Sequence, residues 1–364
     1  MADRLVPRDS AVYQELSRLY RLARSLRPTS VDRWNGNLYA TDSERLGAFD
    51  PRSGDIRLSA DRTLLHLTGS SPTEPADRAQ ALATVLHEAT HAGMATDAPN
   101  EPNAVRSEHS LGLMEGFAEV RALQDFGAFA RGAGYPELEL PTPSYPGAYT
   151  ATDGLLQQAS GPAKGRLDII DEATHGPGVM HFDQLGDGVL RNRLAEVVPF
   201  HEEHRRQVRA ALIGAMAHRA WPMLKDLSAE TGVTVAAEIR QKLNSKVDEI
   251  RRHYYAMPNE VFPVDSPNAH AGREPRRQVG EAGRSGGGKT GPGKTSPGNA
   301  HPEMRFLGGQ AGAAGAVRWQ PVLGDGARGR GAGEGHGQAP GRDVGPGNGR
   351  SAGPGKGRSG PGRE

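Results

Sequence analysis

The chain has 364 residues, no cysteine and a formal net charge of +1. Without cysteine, disulfides, thiolate metal sites and cysteine nucleophiles are excluded, and a charge near zero gives no reason to expect nucleic acid as the main partner. The N-terminus lacks a signal-peptide pattern, and no window of about 18 apolar residues predicts a membrane span. We therefore expect a cytoplasmic protein without membrane association, unless a specialised route exports it.

The first third of the chain predicts helices and a small sheet. An apolar stripe marks the first helix, and residues 50–55 form a strong turn signal between strands. Gly93 and Gly127 are the expected stops of the last two helices in this part. The expected elements are a helix over residues 10–27, short strands within residues 37–60, a helix from about Ser71 to Ala92 and a helix over about residues 105–125.

The rest of the chain is less regular until its last helices. Residues 132–180 are rich in Gly, Pro and Tyr, and we predict no element there. Helical patterns return from about residue 184, and the clearest apolar stripe predicts a helix from Val233 to about Tyr255.

From about Asp265 the chain is dominated by Gly, Pro, Arg, Ser and Ala. Such a segment cannot bury enough apolar surface to offset its chain entropy, so we predict disorder over residues 265–364. The plainest interpretation is a solvated extension. Its basic excess also allows weak contact with an acidic surface such as nucleic acid, and the more apolar stretch Ala316–Leu323 is a candidate docking segment.

The stretch TVLHEATHA, which ends at Ala92, carries the clearest chemical signal. His87 and His91 are four apart, so a helix places both imidazoles on one face, where they can bind one Zn²⁺. Glu88 follows the first histidine directly, where its carboxylate can take a proton from water held by the metal. The structural alternative is a helix with two ordinary, partly buried histidines.

A catalytic zinc needs a third protein ligand and one open position. Glu115 lies on the next predicted helix, and Glu119 is four residues further on the same face. Glu115 is a candidate ligand, and Glu119 a candidate acceptor for the remaining N–H of a ligand histidine. The alternative for both is a solvated helix face.

The HExxH motif and the EGFAE motif that begins at Glu115 resemble those of the gluzincin metallopeptidases. The resemblance covers about residues 56–125. It implies a zincin-like upper subdomain of sheet and helices, with zinc at the bottom of a cleft. Together with the patterns above, it predicts an α+β fold with an upper subdomain over residues 1–130, a mainly helical lower subdomain over 131–260 and a disordered tail over 265–364.

Other residues remain open for parts of the site. Asp97 stands six residues after His91, the metzincin-like spacing for a third ligand, although Met94 occupies the position where those enzymes need glycine. Glu108 or His109 are further alternatives. The candidates for stabilising the oxyanion are Tyr145, Tyr149, His175, His181 and His201.

Three further patterns have plainer interpretations. Ile56–Ser59 is either a strand that pairs with an extended substrate or an ordinary core strand. The His201–His204 pair (HEEH) has a spacing of three rather than four, which indicates a surface histidine pair. The pentapeptide Asp171–His175 (DEATH) echoes the active-site motif but lacks its first histidine, so we treat the similarity as chance.

The leading function is hydrolysis of peptide bonds in a peptide or protein substrate, with Zn²⁺ as the cofactor. The alternative is a catalytically inactive zinc-binding structural or interaction protein on the same scaffold. A third hypothesis is a scaffold whose tail carries the function. The sequence has no signal for an oligomeric state.

Overall fold

The computed structural model describes residues 3–68 and 73–264, which adopt a mixed α+β fold in which helices predominate. This confirms the predicted class, with a small sheet in the N-terminal part followed by helices. The predicted tail over 265–364, with its candidate docking segment Ala316–Leu323, lies outside the described residues, as does the expected helix start at Ser71.

The described chain contains strands, α-helices and short 3₁₀ or π-type turns. The strands are β1 (Arg4–Leu5), β2 (Leu38–Thr41), β3 (Gly47–Phe49) and β4 (Ile56–Ser59). The α-helices are α1 (Ala11–Leu26), α2 (Leu65–Leu67), α3 (Pro75–Gly93), α4 (Glu108–Ala133), α5 (Pro146–Ala159), α6 (Arg166–His175), α7 (His181–Val189), α8 (Glu202–Met216) and α9 (Ala229–Ala256).

The four strands form one sheet in the order β1-β2-β4-β3, with β2 and β4 parallel and the other neighbours antiparallel. Strand β4 pairs on both sides, so Ile56–Ser59 is a core strand and cannot accept a substrate strand. Within the described residues β3 pairs with β4 alone, which leaves its other edge open.

Helix α3 carries the HExxH motif and is buried over most of its length. It begins at Pro75, whose fixed φ suits the first helical position, and the preceding Thr73 and Glu74 are not helical. Its small alanines allow close packing against neighbouring elements. It ends at Gly93, the expected stop, where an added Cβ would collide with the guanidinium of Arg24.

Helix α4 is longer than predicted. The expected stop at Gly127 is wrong, because a Cβ there would meet nothing nearer than Arg131 at 3.9 Å and the apolar stripe continues through the buried Phe126 and Phe129. The helix ends at Ala133, followed by Gly134 with φ +98°, a left-handed conformation that favours glycine.

The described residues form two large hydrophobic cores that meet at α4. The first joins the sheet, α1, α3 and the C-terminal half of α4, and the second joins the N-terminal half of α4 to the later helices. Helix α4 therefore belongs to both cores. The proposed boundary between subdomains near residue 130 stays a prediction.

The segment without predicted elements, residues 132–180, contains α5 and α6. Their frequent Gly and Ala residues weaken the apolar periodicity but allow close helix contacts, as where a Cβ on Gly154 would lie 2.6 Å from Ala236. The long helix expected from Val233 is confirmed as α9, which begins earlier because Ser228 caps it. Among the described residues, no helix has the length and apolar character needed to cross a bilayer.

Candidate metal centre

Helices α3 and α4 pack side by side and bring five polar side chains together, three from α3 and two from α4. His87 and His91 project from α3, with their Nε2 atoms 3.0 Å apart. Glu115 projects from α4, and its Oε2 atom lies 3.2 Å from Nε2 of His87 and 3.3 Å from Nε2 of His91. The structure therefore joins the two predicted histidines to the predicted third ligand in one group that could hold a metal ion.

The spacing of these three atoms suits a tetrahedral cation. Ligand bonds of about 2.0–2.1 Å at tetrahedral angles separate neighbouring ligand atoms by about 3.3–3.4 Å. The three observed separations, 3.0, 3.2 and 3.3 Å, lie close to that edge length. Two imidazole nitrogens and one carboxylate oxygen are also a ligand set that Zn²⁺ accepts.

Glu119 lies behind His87 and orients its ring. Nδ1 of His87 is 2.8 Å from Oε2 of Glu119. Because an ionised carboxylate only accepts hydrogen bonds, Nδ1 of His87 donates to Glu119, and Nε2 is the nitrogen that would bind a metal ion. The backbone N–H of Ser144 donates to the other oxygen of Glu119, and Gln80 donates to the Ser144 hydroxyl at 2.8 Å.

Glu88 is buried beneath the open edge of the sheet. Its side chain is 3% exposed, and its carboxylate accepts a hydrogen bond from the backbone N–H of Phe49 in β3. Gly47 makes room for it, since an added Cβ there would lie 2.8 Å from Oε1 of Glu88. The predicted base therefore sits between the metal group and the free edge of β3.

The group carries unbalanced negative charge. Burial raises the pKa of Glu88, and the neighbouring His87 and His91 only partly offset that rise. Although burial opposes both charges, His91 and His87 lower the pKa of Glu115, while Glu115 and Glu119 raise that of His87. Three carboxylates around two imidazoles leave excess negative charge in a poorly solvated place, where a bound cation would compensate it.

Among the oxyanion candidates, Tyr145 lies at the site. Its ring centroid is 5.4 Å from that of His87. Burial, with Glu115 as the next cause, raises the pKa of its phenol, so the hydroxyl stays protonated and can donate a hydrogen bond.

The remaining candidates have other environments. His181 is fully buried, its Nε2 lies 3.0 Å from the Ala173 carbonyl, and burial lowers its pKa to about 4. His201 is the exposed residue that precedes α8, and His175 is exposed at the end of α6. Tyr149 packs against the later helical core.

The alternative third ligands are not in the metal group. Asp97 is exposed and pairs with Arg106 at 2.9 Å, while Glu108 is exposed and Nδ1 of His109 lies 3.3 Å from the Ser107 hydroxyl. Among the residues that the structure describes, His87, His91 and Glu115 are the group of His, Asp and Glu side chains whose ligand atoms lie close enough to share one ion.

The predicted surface histidine pair is wrong for one of its members. His204 is buried, and its Nδ1 lies 3.1 Å from the Tyr254 hydroxyl. The amphipathic stripe of α8 turns this position inward, while His201 precedes the helix and stays exposed.

Sequence reasoning missed two contributors to the site. Gly47 and the backbone of Ser144 have no motif that marks them, because one acts by lacking a side chain and the other through its N–H group. A cavity of about 280 Å³ on the same helix as Glu115 was also missed. Leu111 lines it one helical turn before Glu115, together with Met114 and Val179.

Comparison of the chain with models of known protein families, with curated proteins and with solved structures gives no match. Its function must therefore be inferred from the geometry and chemistry of the metal centre.

Proposed function

We propose that the protein is a zinc-dependent metallopeptidase on a zincin-like scaffold, with His87, His91 and Glu115 as metal ligands. The observation that carries this proposal is the convergence of these three side chains within hydrogen-bonding distance of one another, directly beside a buried glutamate. A structural zinc site normally has four protein ligands, whereas three ligands leave a position for water or substrate.

A zinc ion held there would supply Lewis acidity and lower the pKa of a water molecule towards about 7. Glu88 accepts the proton of the attacking water on its carboxylate and returns it to the nitrogen of the leaving amine. Burial favours this role, because a carboxylate with a raised pKa is a stronger base. Tyr145 donates a hydrogen bond from its hydroxyl to the oxygen of the scissile carbonyl.

The free edge of β3 supports a peptide as the substrate. An extended peptide can add to an exposed sheet edge by main-chain hydrogen bonds. The carboxylate of Glu88 lies at this edge, on the N–H of Phe49, so a peptide there would pass next to the base. The cavity lined by Leu111 and Met114 of α4 has both apolar and polar wall residues, the latter including Arg106 and Ser107, and is large enough for one substrate side chain.

The replacement Glu88→Gln tests the catalytic proposal. It keeps the size of the side chain but removes the base, so we expect peptide hydrolysis to fall by about 10²–10⁴-fold while zinc content stays unchanged. Activity is measured on a peptide library with zinc-loaded protein, and zinc by elemental analysis.

Glu74→Gln is the matched control, because Glu74 is exposed immediately before the same helix. It should leave hydrolysis and zinc content as in the wild type. Full activity in Glu88→Gln would overturn the proposed role of Glu88. Zinc binding without hydrolysis of any library peptide by the wild type would favour an inactive zinc-binding protein.

A further inference from the structure

A polar cavity, separate from the one lined by Leu111 and Met114, lies against α3 and away from the metal group. Its volume is about 30 Å³, and α1, α3, α4 and α6 surround it. Leu86, Ala89, Thr90 and Gly93 form its wall on α3. At 3.6 residues per turn, these four positions lie about 130° around the helix from the two metal-binding histidines. The cavity and the metal group therefore occupy different faces of one helix.

Buried ion pairs hold one end of this cavity together. Arg121 on α4 is 4% exposed, and it donates from Nε to Asp125 and from Nη1 to Asp171 at 3.0 Å. Arg27 at the end of α1 donates from Nη1 to both oxygens of Asp171, at 2.8 and 2.9 Å, and from Nη2 to Asp125 at 3.3 Å. Two guanidinium groups are thus matched by two carboxylates.

A third guanidinium has no such match. Arg24 lines the same cavity, and its Nη2 donates to the backbone carbonyls of Thr29 and Val31. Within the described residues it forms no ion pair. The three arginines and two aspartates therefore leave one excess positive charge beside a cavity of small volume.

We propose that this cavity binds one small monovalent anion of the size of chloride, held by Arg24 with the Arg27 and Arg121 guanidinium groups at its side. The excess of one positive charge fits a single negative charge. The volume of about 30 Å³ accommodates a monatomic ion or one or two waters but not a larger organic anion. Arg27 and Asp171 are 31% and 35% exposed, so the cavity is reachable from solvent.

Neighbouring arginines contribute to the pKa shifts of two groups at this cavity. Burial lowers the pKa of His175, which also lines the cavity, and Arg121 lowers it further. Burial likewise lowers the pKa of Arg121; Asp125 partly offsets this effect, and repulsion by Arg27 adds to it. A bound anion would reduce the repulsion between the guanidinium groups of Arg27 and Arg121. The proposed peptidase mechanism does not account for this repulsion.

Thermal unfolding of the full chain in matched salts tests the proposal. At constant ionic strength, exchange of gluconate for chloride should raise Tm by about 3 °C, because an ion that binds only the folded state stabilises it by mass action. Chloride is the less kosmotropic of the two anions, so a non-specific salt effect would have the opposite sign. An equal Tm in both salts would overturn the proposal.

Arg24→Gln removes the unmatched charge and should abolish the chloride increment. Arg21→Gln is its control, because Arg21 is exposed on the same helix and should keep the increment. An undiminished increment in Arg24→Gln would show that chloride acts without Arg24 and would overturn the assignment. If Arg24→Gln does not fold, the alternative test uses crystals of the wild type grown in bromide. An anomalous peak in the cavity would support the site, and the absence of such a peak would contradict it.

Discussion

The two faces of α3 differ in the sign of the charge that they bury. One face joins His87 and His91 to three carboxylates of α3 and α4, with an excess of negative charge. The other face adjoins three arginines and two aspartates, with an excess of positive charge. Buried charge without compensation is costly, so each face calls for an ion of the opposite sign. One helix would thereby separate the proposed cation site from the proposed anion site.

The two similar pentapeptides sharpen this difference. In HEATH the first and last side chains, His87 and His91, converge on the metal group. In DEATH the first side chain, Asp171, accepts from Arg27, which follows α1, and from Arg121 of α4, and Thr174 accepts from Arg121 at 2.9 Å. The similarity therefore has no functional parallel: the neighbouring helix provides carboxylates in one case and a guanidinium in the other.

The largest effect on stability should follow from breaking the ion pairs of Arg121, on the side of α3 that adjoins the three arginines. Arg121→Met removes the guanidinium that joins Asp125 to Asp171 and leaves buried carboxylate charge without its nearest partner. We expect the free energy of unfolding to fall by about 3 kcal/mol, measured by urea denaturation.

Zinc content should be unchanged in Arg121→Met at temperatures where the variant is folded, because Arg121 touches no ligand of the metal. Arg131→Met is the matched control, since Arg131 is exposed on the same helix and should change stability by less than about 0.5 kcal/mol. Loss of zinc from folded Arg121→Met would contradict the separation of the two faces.

A smaller effect should follow from Glu119→Gln, on the side of α3 that carries His87 and His91. The variant keeps an oxygen near Nδ1 of His87 but loses the charge that orients the ring and strengthens Nε2 as a donor. We expect zinc affinity to fall by about 10–100-fold, measured by competition with a chelator.

Glu108→Gln provides the comparison, because Glu108 is exposed at the start of α4. Its zinc affinity should equal that of the wild type. An unchanged affinity in Glu119→Gln would show that Glu119 serves packing rather than the metal.

How much the sequence reveals depends on whether neighbouring residues or distant ones create a feature. The HExxH spacing places two histidines on one face of one helix, and the four-residue spacing of Glu115 and Glu119 places both on one face of the next. The ligand group could therefore be predicted from the sequence. The open edge at β3 could not be predicted, because it depends on the order of the strands in the sheet. A four-residue strand such as Ile56–Ser59 has the same sequence pattern at an edge and in the middle of a sheet. Packing also decided the length of α4 beyond Gly127.

The basic cavity was equally inaccessible from the sequence. Arg24, Arg121 and Asp171 come from three helices separated by long stretches of chain, and none belongs to a recognisable local pattern. The small volume between them follows from tertiary packing, as does the burial of Arg121. Long-range pairs of this kind have no periodicity by which they could be found.

The most direct test of the metal centre is the zinc content of purified wild type beside Glu115→Ala and His87→Ala. Three converging ligands predict about one zinc per chain in the wild type and affinity weakened by more than about 100-fold in both variants. Wild-type zinc content in Glu115→Ala, with His87→Ala depleted, would contradict the assignment of the carboxylate from α4 as the third ligand.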